Sequence, residues 1–390
     1  MKGNLKMKLI FCTPQIVGAG GVERVLSQRL NYFIEKFNYD IIVITTEKNS
    51  LTYNNKNSFY YFNPKIEIID LGINYADNLS SNFFIKQMQL KNKCNKNLKF
   101  LNKIVNKVKP DFLISTDGNT SSICYKVNYP CEKIIEHHIS KQCFTKEMES
   151  YSFFDKIKVI YRKYREYYYI NKYDKFLVLT EEDKNSWGDS RIKVINNPLP
   201  FDSKEVSSCK NKKVISIGRL DEQKGFDILI DVWRKVNEKH PDWILEIYGE
   251  GSLRKELQDK IDSLNLTDTL ILKGNEKNIQ LKYLESSIYV MSSRYEGMPM
   301  VLLEAMSCGL PLVSFDCPCG PKDIIKDGEN GFLIKFGNID EMAEKISYLI
   351  ENEDKRIEIG KKSKELSYNY LEEKIMNQWK ELFENLLKNK

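Results

Sequence analysis

Thirteen short apolar runs recur along the chain, each closed by a polar turn and most followed by a stretch of helical periodicity. They fall at 9–12, 41–45, 66–71, 112–115, 133–136, 176–180 and 193–195, then at 213–217, 244–248, 270–273, 288–291, 311–314 and 331–334. Strands of this length alternating with helices predict an α/β protein with parallel sheets wrapped by helices. Thirteen strands are wide for one open sheet, so the pattern predicts two sheets of six or seven. Between 196 and 211 the alternation lapses, and Pro198 and Pro200 stand in a polar stretch that reads as a linker. The chain therefore divides at 1–197 and 198–370, followed by a terminal helix at 371–390. In that helix Leu371, Ile375, Trp379, Leu382, Phe383 and Leu386 keep helical spacing. It is expected to cross back onto the first domain. Two such sheets place a ligand in the cleft at the carboxyl ends of their strands.

Composition narrows the class. The 390 residues are 42% hydrophobic and 29% charged, ordinary for a globular protein and enough for two domains. The formal charge of +6 is modest and spread out, which suits an anionic ligand or an acidic membrane surface. There is no Arg-rich tract or nucleic-acid motif, so nucleic acid is not expected as a partner. The nine cysteines are scattered, with none at zinc-finger or CxxC spacing, and read as reduced thiols in a cytoplasmic protein. The first apolar run is too short for a signal peptide, and no run approaches 18 apolar residues.

The chemistry concentrates at strand ends. Glu296 and Glu304 stand eight residues apart, flanking a Gly297-Met298-Pro299 turn and the start of an apolar helix. A strand, a tight turn and a helix N-terminus surround an anion with N–H groups, and Pro299 suits the first helical position. Acids beside such a place repel phosphate and are better suited to reading hydroxyls; phosphate with hydroxyls describes a nucleotide sugar. Gly218-Arg219 and Lys224-Gly225 follow the first strand of the second half, where a planar fork and a movable point charge can converge on one diphosphate. Gly249 and Gly274 close the next two strands in turns able to frame base and ribose through backbone. In the first half, Gly18, Gly20 and Gly21 precede a helix near Val22 and allow close backbone approach. Glu23 stands where a dinucleotide fingerprint requires glycine, so that motif is a near miss.

Other features stay open on the residues alone. His137 and His138 both follow a strand, and either can reach the cleft; His240, before Pro241, reads as a surface residue. No Asp-x-Asp pair, zinc constellation, nucleophile elbow or phosphate loop occurs, which favours metal-independent chemistry without a cofactor. The stretches 155–175 and 86–109 are basic and helical. In the first, Ile157, Ile160, Tyr161, Tyr164 and Tyr168 share a side that either packs on the sheet, the favoured reading, or lies on an anionic membrane.

Together these residues resemble the family 4 retaining glycosyltransferases of the two-Rossmann-domain, GT-B type, over nearly the whole chain. The carriers are Gly18 to Glu23, Glu136-His137-His138, Asn197-Pro198, Gly218-Arg219-Leu220 with Lys224-Gly225, and Glu296 to Glu304. Ala305 to Pro311 and Asn330 to Leu333 extend the match. Cys317 to Pro321 resembles branches that build capsule, O-antigen or other surface polysaccharide. The resemblance implies a sugar transfer from a nucleotide diphosphate, UDP foremost, to a hydroxyl of a growing glycan that is free or lipid-linked. It also allows peripheral association with the inner face of the cytoplasmic membrane. It gives Glu296 the donor-sugar hydroxyls and Glu304 the ribose, with Arg219 and Lys224 on the diphosphate. Met300 and Val301 would offer N–H groups, Gly20 and Gly21 a close backbone, and His137, ahead of His138, the cleft imidazole. Asp323 departs from the family's usual glutamate. A nucleotide-sugar epimerase or sugar phosphorylase on the same fold, or a non-catalytic glycan-binding protein, are the alternatives.

Overall fold

A computed structural model describes residues 6–18, 20–47, 59–116, 118–138, 140–141, 153–189 and 191–388. The first seven strands, β1 (Lys8–Thr13), β2 (Asp40–Thr45), β3 (Glu67–Asp70), β4 (Phe112–Ser115), β5 (Glu132–Glu136), β6 (Lys175–Val178) and β7 (Ile192–Val194), form one sheet. The next six are β8 (Lys213–Ile217), β9 (Ile244–Tyr248), β10 (Leu270–Gly274), β11 (Ile288–Met291), β12 (Leu312–Asp316) and β13 (Gly331–Lys335), and they form a second. Their orders are β3-β2-β1-β4-β5-β6-β7 and β10-β9-β8-β11-β12-β13. Every strand-to-strand pairing is parallel. The two-sheet α/β expectation holds, because strands buried on both faces must be apolar nearly throughout and so announce themselves as runs.

Each sheet reverses its winding once, between β1 and β4 and between β8 and β11. At such a switch the connections leave in opposite directions and open a crevice at the carboxyl ends. The loops that follow β1, β8 and β11 are those carrying Gly20 and Gly21, Arg219 and Lys224, and Glu296.

The first sheet is covered differently on its two faces. On one, the helices Gly21–Phe37 and Glu372–Lys388 bury Phe33, Phe37, Trp379 and Phe383 against Phe11 and Phe112. The terminal helix thus packs on the first lobe, and its Trp379 and Phe383 rings stand 6.3 and 6.0 Å from Phe33. On the other face, Leu101, Val105, Ile123, Ile170 and Tyr173 pack over Ile10, Ile44 and Ile135. Tyr161, Tyr164 and Tyr168 belong to the helix Phe153–Ile170 but stay outside that core, at 61, 70 and 47% exposure. The expectation that this tyrosine side packs on the sheet is therefore corrected. The sheet contact is made by Ile170 and by Tyr173 just past the helix, one turn beyond the residues in that stripe.

Candidate active site

The loop after β9 presses against the loop after β8 through glycines that have no room for a side chain. A Cβ on Gly249, at φ +139°, would lie 1.9 Å from the carbonyl oxygen of Gly218, and one on Gly251 would lie 2.3 Å from that of Leu220. Gly249 N–H in turn donates to Gly274 O at 2.9 Å. The ends of β8, β9 and β10 are thereby pressed together, backbone to backbone. Asp221 caps the short turn Glu222–Lys224 through Lys224 N–H. Lys224 is then aimed at Glu296, with Nζ 2.7 Å from Oε1.

Glu296 is held from three sides. Its Oε1 also accepts from Ser293 Oγ at 2.7 Å. Its N–H donates to Pro318 O at 2.7 Å, and its carbonyl accepts from Cys319 N–H at 3.1 Å. The Cys317-Pro318-Cys319 segment is therefore a strap that fixes the backbone of this acid. With only 6% of Glu296 exposed, the Lys224 ammonium keeps the carboxylate neutralised in place. Pro299 is the N-cap of the helix Met300–Ser307, one position earlier than expected, with ψ 99°. Leu302 N–H already bonds Pro299 O, whereas Met300 and Val301 precede the first helical acceptor. Met298 Sδ accepts from Asn197 N–H at 3.2 Å, which ties this turn to the linker.

Glu304 is 4% exposed and occupied on both oxygens. Tyr283 OH donates to Oε2 at 2.8 Å, and burial next to this acid pushes the phenol well above its ordinary pKa. Arg24 Nη1 reaches Oε1 at 2.5 Å from the first helix of the other lobe. Nothing in the chain's periodicity singled out Arg24 or Tyr283. Gly21 stands beside Met300, whose Cγ lies 4.0 Å from where a Cβ would sit. Both lobes therefore meet at this helix start.

The loop after β1 is covered by an acid. The Glu23 carboxylate folds back over it, and a Cβ on Gly20 or Gly18 would lie 2.5 or 2.7 Å from its oxygens. Negative charge thus sits where a dinucleotide loop receives phosphate. His137 lines a crevice with Ser140, Thr180, Asp183 and Gly297, its ring edge-on to Phe176 and Trp187 at 5.0 and 5.7 Å. His138 lines the same crevice and turns to Glu136, Nε2 to Oε1 at 3.4 Å. His240 is largely covered, its side chain 12% exposed and 3.3 Å from Glu351, so it is not a plain surface residue. Arg219 is the outlier: its side chain is 75% exposed and pairs with Asp221 at 3.1 Å, apart from the Lys224–Glu296 pair.

A family model described as "Glycosyl transferases group 1" matches residues 201–366. The chain is 30% identical over 381 residues to an uncharacterized glycosyltransferase of Haemophilus influenzae, covering 96% of this chain and 99% of that protein. It is 32% identical over 220 residues to the amylovoran biosynthesis glycosyltransferase AmsD of Erwinia amylovora, covering 54% of this chain and 62% of the relative. The fold matches S. aureus TarM, solved as a mutant with fondaparinux, α-GlcNAc-glycerol and UDP. The TM-score there is 0.73 at 20% identity, over 97% of this chain and 99% of that one. Two parallel-sheet lobes meeting at their switch-point loops are the GT-B architecture, and the family match and the full-length relative make the chain a glycosyltransferase. The chain belongs to the group 1 glycosyl transferases.

Proposed function

We infer that the chain moves a sugar from a nucleotide diphosphate, UDP, to a hydroxyl of a growing surface glycan, free or lipid-linked, retaining the anomeric configuration. The observation that carries this is the buried Lys224–Glu296 pair at the switch point of the second sheet, with the first lobe's helix start against it. A carboxylate with a cation alongside can accept sugar hydroxyls on one side while the cation faces a diphosphate on the other. TarM's complex with UDP and the amylovoran role of AmsD support the donor and the polymer class.

In the proposed step the bond from the anomeric carbon to the phosphate oxygen breaks. The acceptor oxygen forms its bond on the same face, and its proton passes to the departing phosphate. The electron pair leaves with UDP, where Lys224, and Arg219 once swung from Asp221, neutralise the growing charge. His137 would touch the sugar from the first lobe, and Glu304 would hold the ribose. No metal is required by these roles.

The test is a panel of UDP-sugars with released UDP measured, with and without excess chelator, and product configuration read by NMR. Release surviving chelation, an α-linked product from an α-donor, and at least a hundredfold loss of rate in folded Glu296→Ala are expected (roughly the weight of one transition-state contact). An inverted product would end the retaining assignment, and an unchanged Glu296→Ala rate would remove this acid from the site.

A further inference from the structure

A buried hydroxyl joins the two lobes close to the Lys224–Glu296 pair. Ser140 belongs to the first lobe, just past β5 and the two crevice histidines. Its Oγ lies 3.1 Å from Asp183 Oδ1 and 2.6 Å from Sγ of Cys319, which belongs to the second lobe. A hydroxyl has one proton to give, and a carboxylate only accepts. Ser140 therefore donates to Asp183, and the Cys319 thiol donates to Ser140. The chain has a direction, from thiol to hydroxyl to carboxylate, and all three members are buried.

Its first-lobe end is firmly set. Asp183 lies in the helix Glu181–Trp187 and also accepts from Lys141 N–H at 3.0 Å and from Trp187 Nε1 at 3.4 Å. Its own N–H donates to Thr180 Oγ1 at 3.1 Å. The second-lobe end is the strap around Glu296, where Pro318 and Cys319 bond that acid's N–H and carbonyl. Cys317 lies instead in the apolar core of the second lobe, so the two cysteines have separate tasks. Next along the strap, Gly320 N–H donates to Glu182, and Asp323 accepts from Glu181 N–H. Those outer bonds remain when Ser140 loses its hydroxyl. What the hydroxyl adds is register, because it ties the strap to a point three residues along the chain from His137.

We propose that Ser140 is a positioning residue for the transfer: through Cys319 it sets the Glu296 carboxylate of one lobe against the His137 imidazole of the other. The inference rests on the reading above, in which Glu296 and His137 flank the donor sugar. Any shift of the strap moves the acid directly, since the strap holds both its N–H and its carbonyl. Misplacing a sugar contact lowers rate more than donor affinity, because in that reading the diphosphate and ribose are held by other side chains.

Rate and binding measured separately test this, with UDP-sugar hydrolysis for kcat and calorimetry with UDP for Kd. Ser140→Ala and Cys319→Ala should each lower kcat about tenfold and leave Kd within about twofold. Cys319→Ser, which still offers Ser140 a proton, should keep most of the wild-type rate. The double variant Ser140→Ala/Cys319→Ala should be no slower than either single one, since both break the same chain. Should Ser140→Ala fail to fold, the contrast between Cys319→Ser and Cys319→Ala decides the question from the other lobe. A loss of affinity as large as the loss of kcat, additive losses in the double variant, or Cys319→Ser as slow as Cys319→Ala would overturn the proposal. A slow Glu296→Ala beside a wild-type rate in Ser140→Ala would sink this inference alone; wild-type rates in both would sink the reading of Glu296 with it.

Discussion

At Glu136, one buried carboxylate is shared between Arg29 and His138. Burial opposes its ionisation, but the Arg29 guanidinium, bonding both oxygens at 2.7 Å, and His138 beside it hold the carboxyl well below the usual glutamate range. The unfolded chain therefore binds the extra proton first as pH falls. This contribution to stability is whole above the ordinary glutamate value of about 4.3 and is lost as pH drops from there toward the folded value. Glu136→Gln would leave the Arg29 charge buried beside a neutral amide. A cost of about 3–5 kcal/mol is expected in denaturant unfolding at pH 7, shrinking as the wild type is itself acidified. The sequence leaves His137 and His138 both open at cleft reach; both line the crevice, and this carboxylate pairs with His138. Glu136 itself appeared in that reading only as part of a motif, because its partner Arg29 lies in another element and no spacing rule connects them.

Strands and most site loops were legible because they follow local rules. An apolar run marks a strand buried on both faces, and Gly218, Gly249 and Gly274 marked turns, of which the one at Gly249 proved to be packed against backbone without space for a Cβ. What covers an apolar helix stripe is not local. The terminal helix advertised Ile375, Trp379 and Phe383 but not their seat, which is Phe33 and Phe112 together with Arg29, whose guanidinium lies 4.4 Å from the Trp379 ring. The tyrosine stripe at Tyr161 and Tyr164 has the same periodicity and no such cover, so spacing alone could not tell the two apart. Trp379→Ala should cost about 3–5 kcal/mol, measured by urea unfolding, since it empties a 1%-exposed site. Ending the chain after Tyr370 should expose the first lobe's core and abolish donor turnover; unchanged stability and activity would refute the structural role.

At the scale of the whole molecule the lobes are held in contact by reciprocal polar bonds. Asp323 accepts from Glu181 N–H at 2.7 Å, Gly320 N–H donates to Glu182 at 3.3 Å, and Arg24 clasps Glu304. The departure at Asp323 thus has a place, as a cap on a first-lobe helix. Contacts 280 residues apart, like that of Arg24, leave no trace in one sequence. Because Tyr283 holds the other oxygen of Glu304, the ribose contact proposed for this acid competes with Arg24. Arg24→Ala should therefore tighten UDP binding about fivefold in calorimetry, the scale of a partly exposed ion pair; weaker binding would show that Arg24 holds the nucleotide instead. The returning helix at Glu372–Lys388 has a consequence for biogenesis. A ribosome finishes the entire second half before it makes the segment that seals the first, so the earlier half must wait with Phe33 and Phe112 incompletely covered while the later one closes on its own core. The core begun first is thus completed last, by the segment made last.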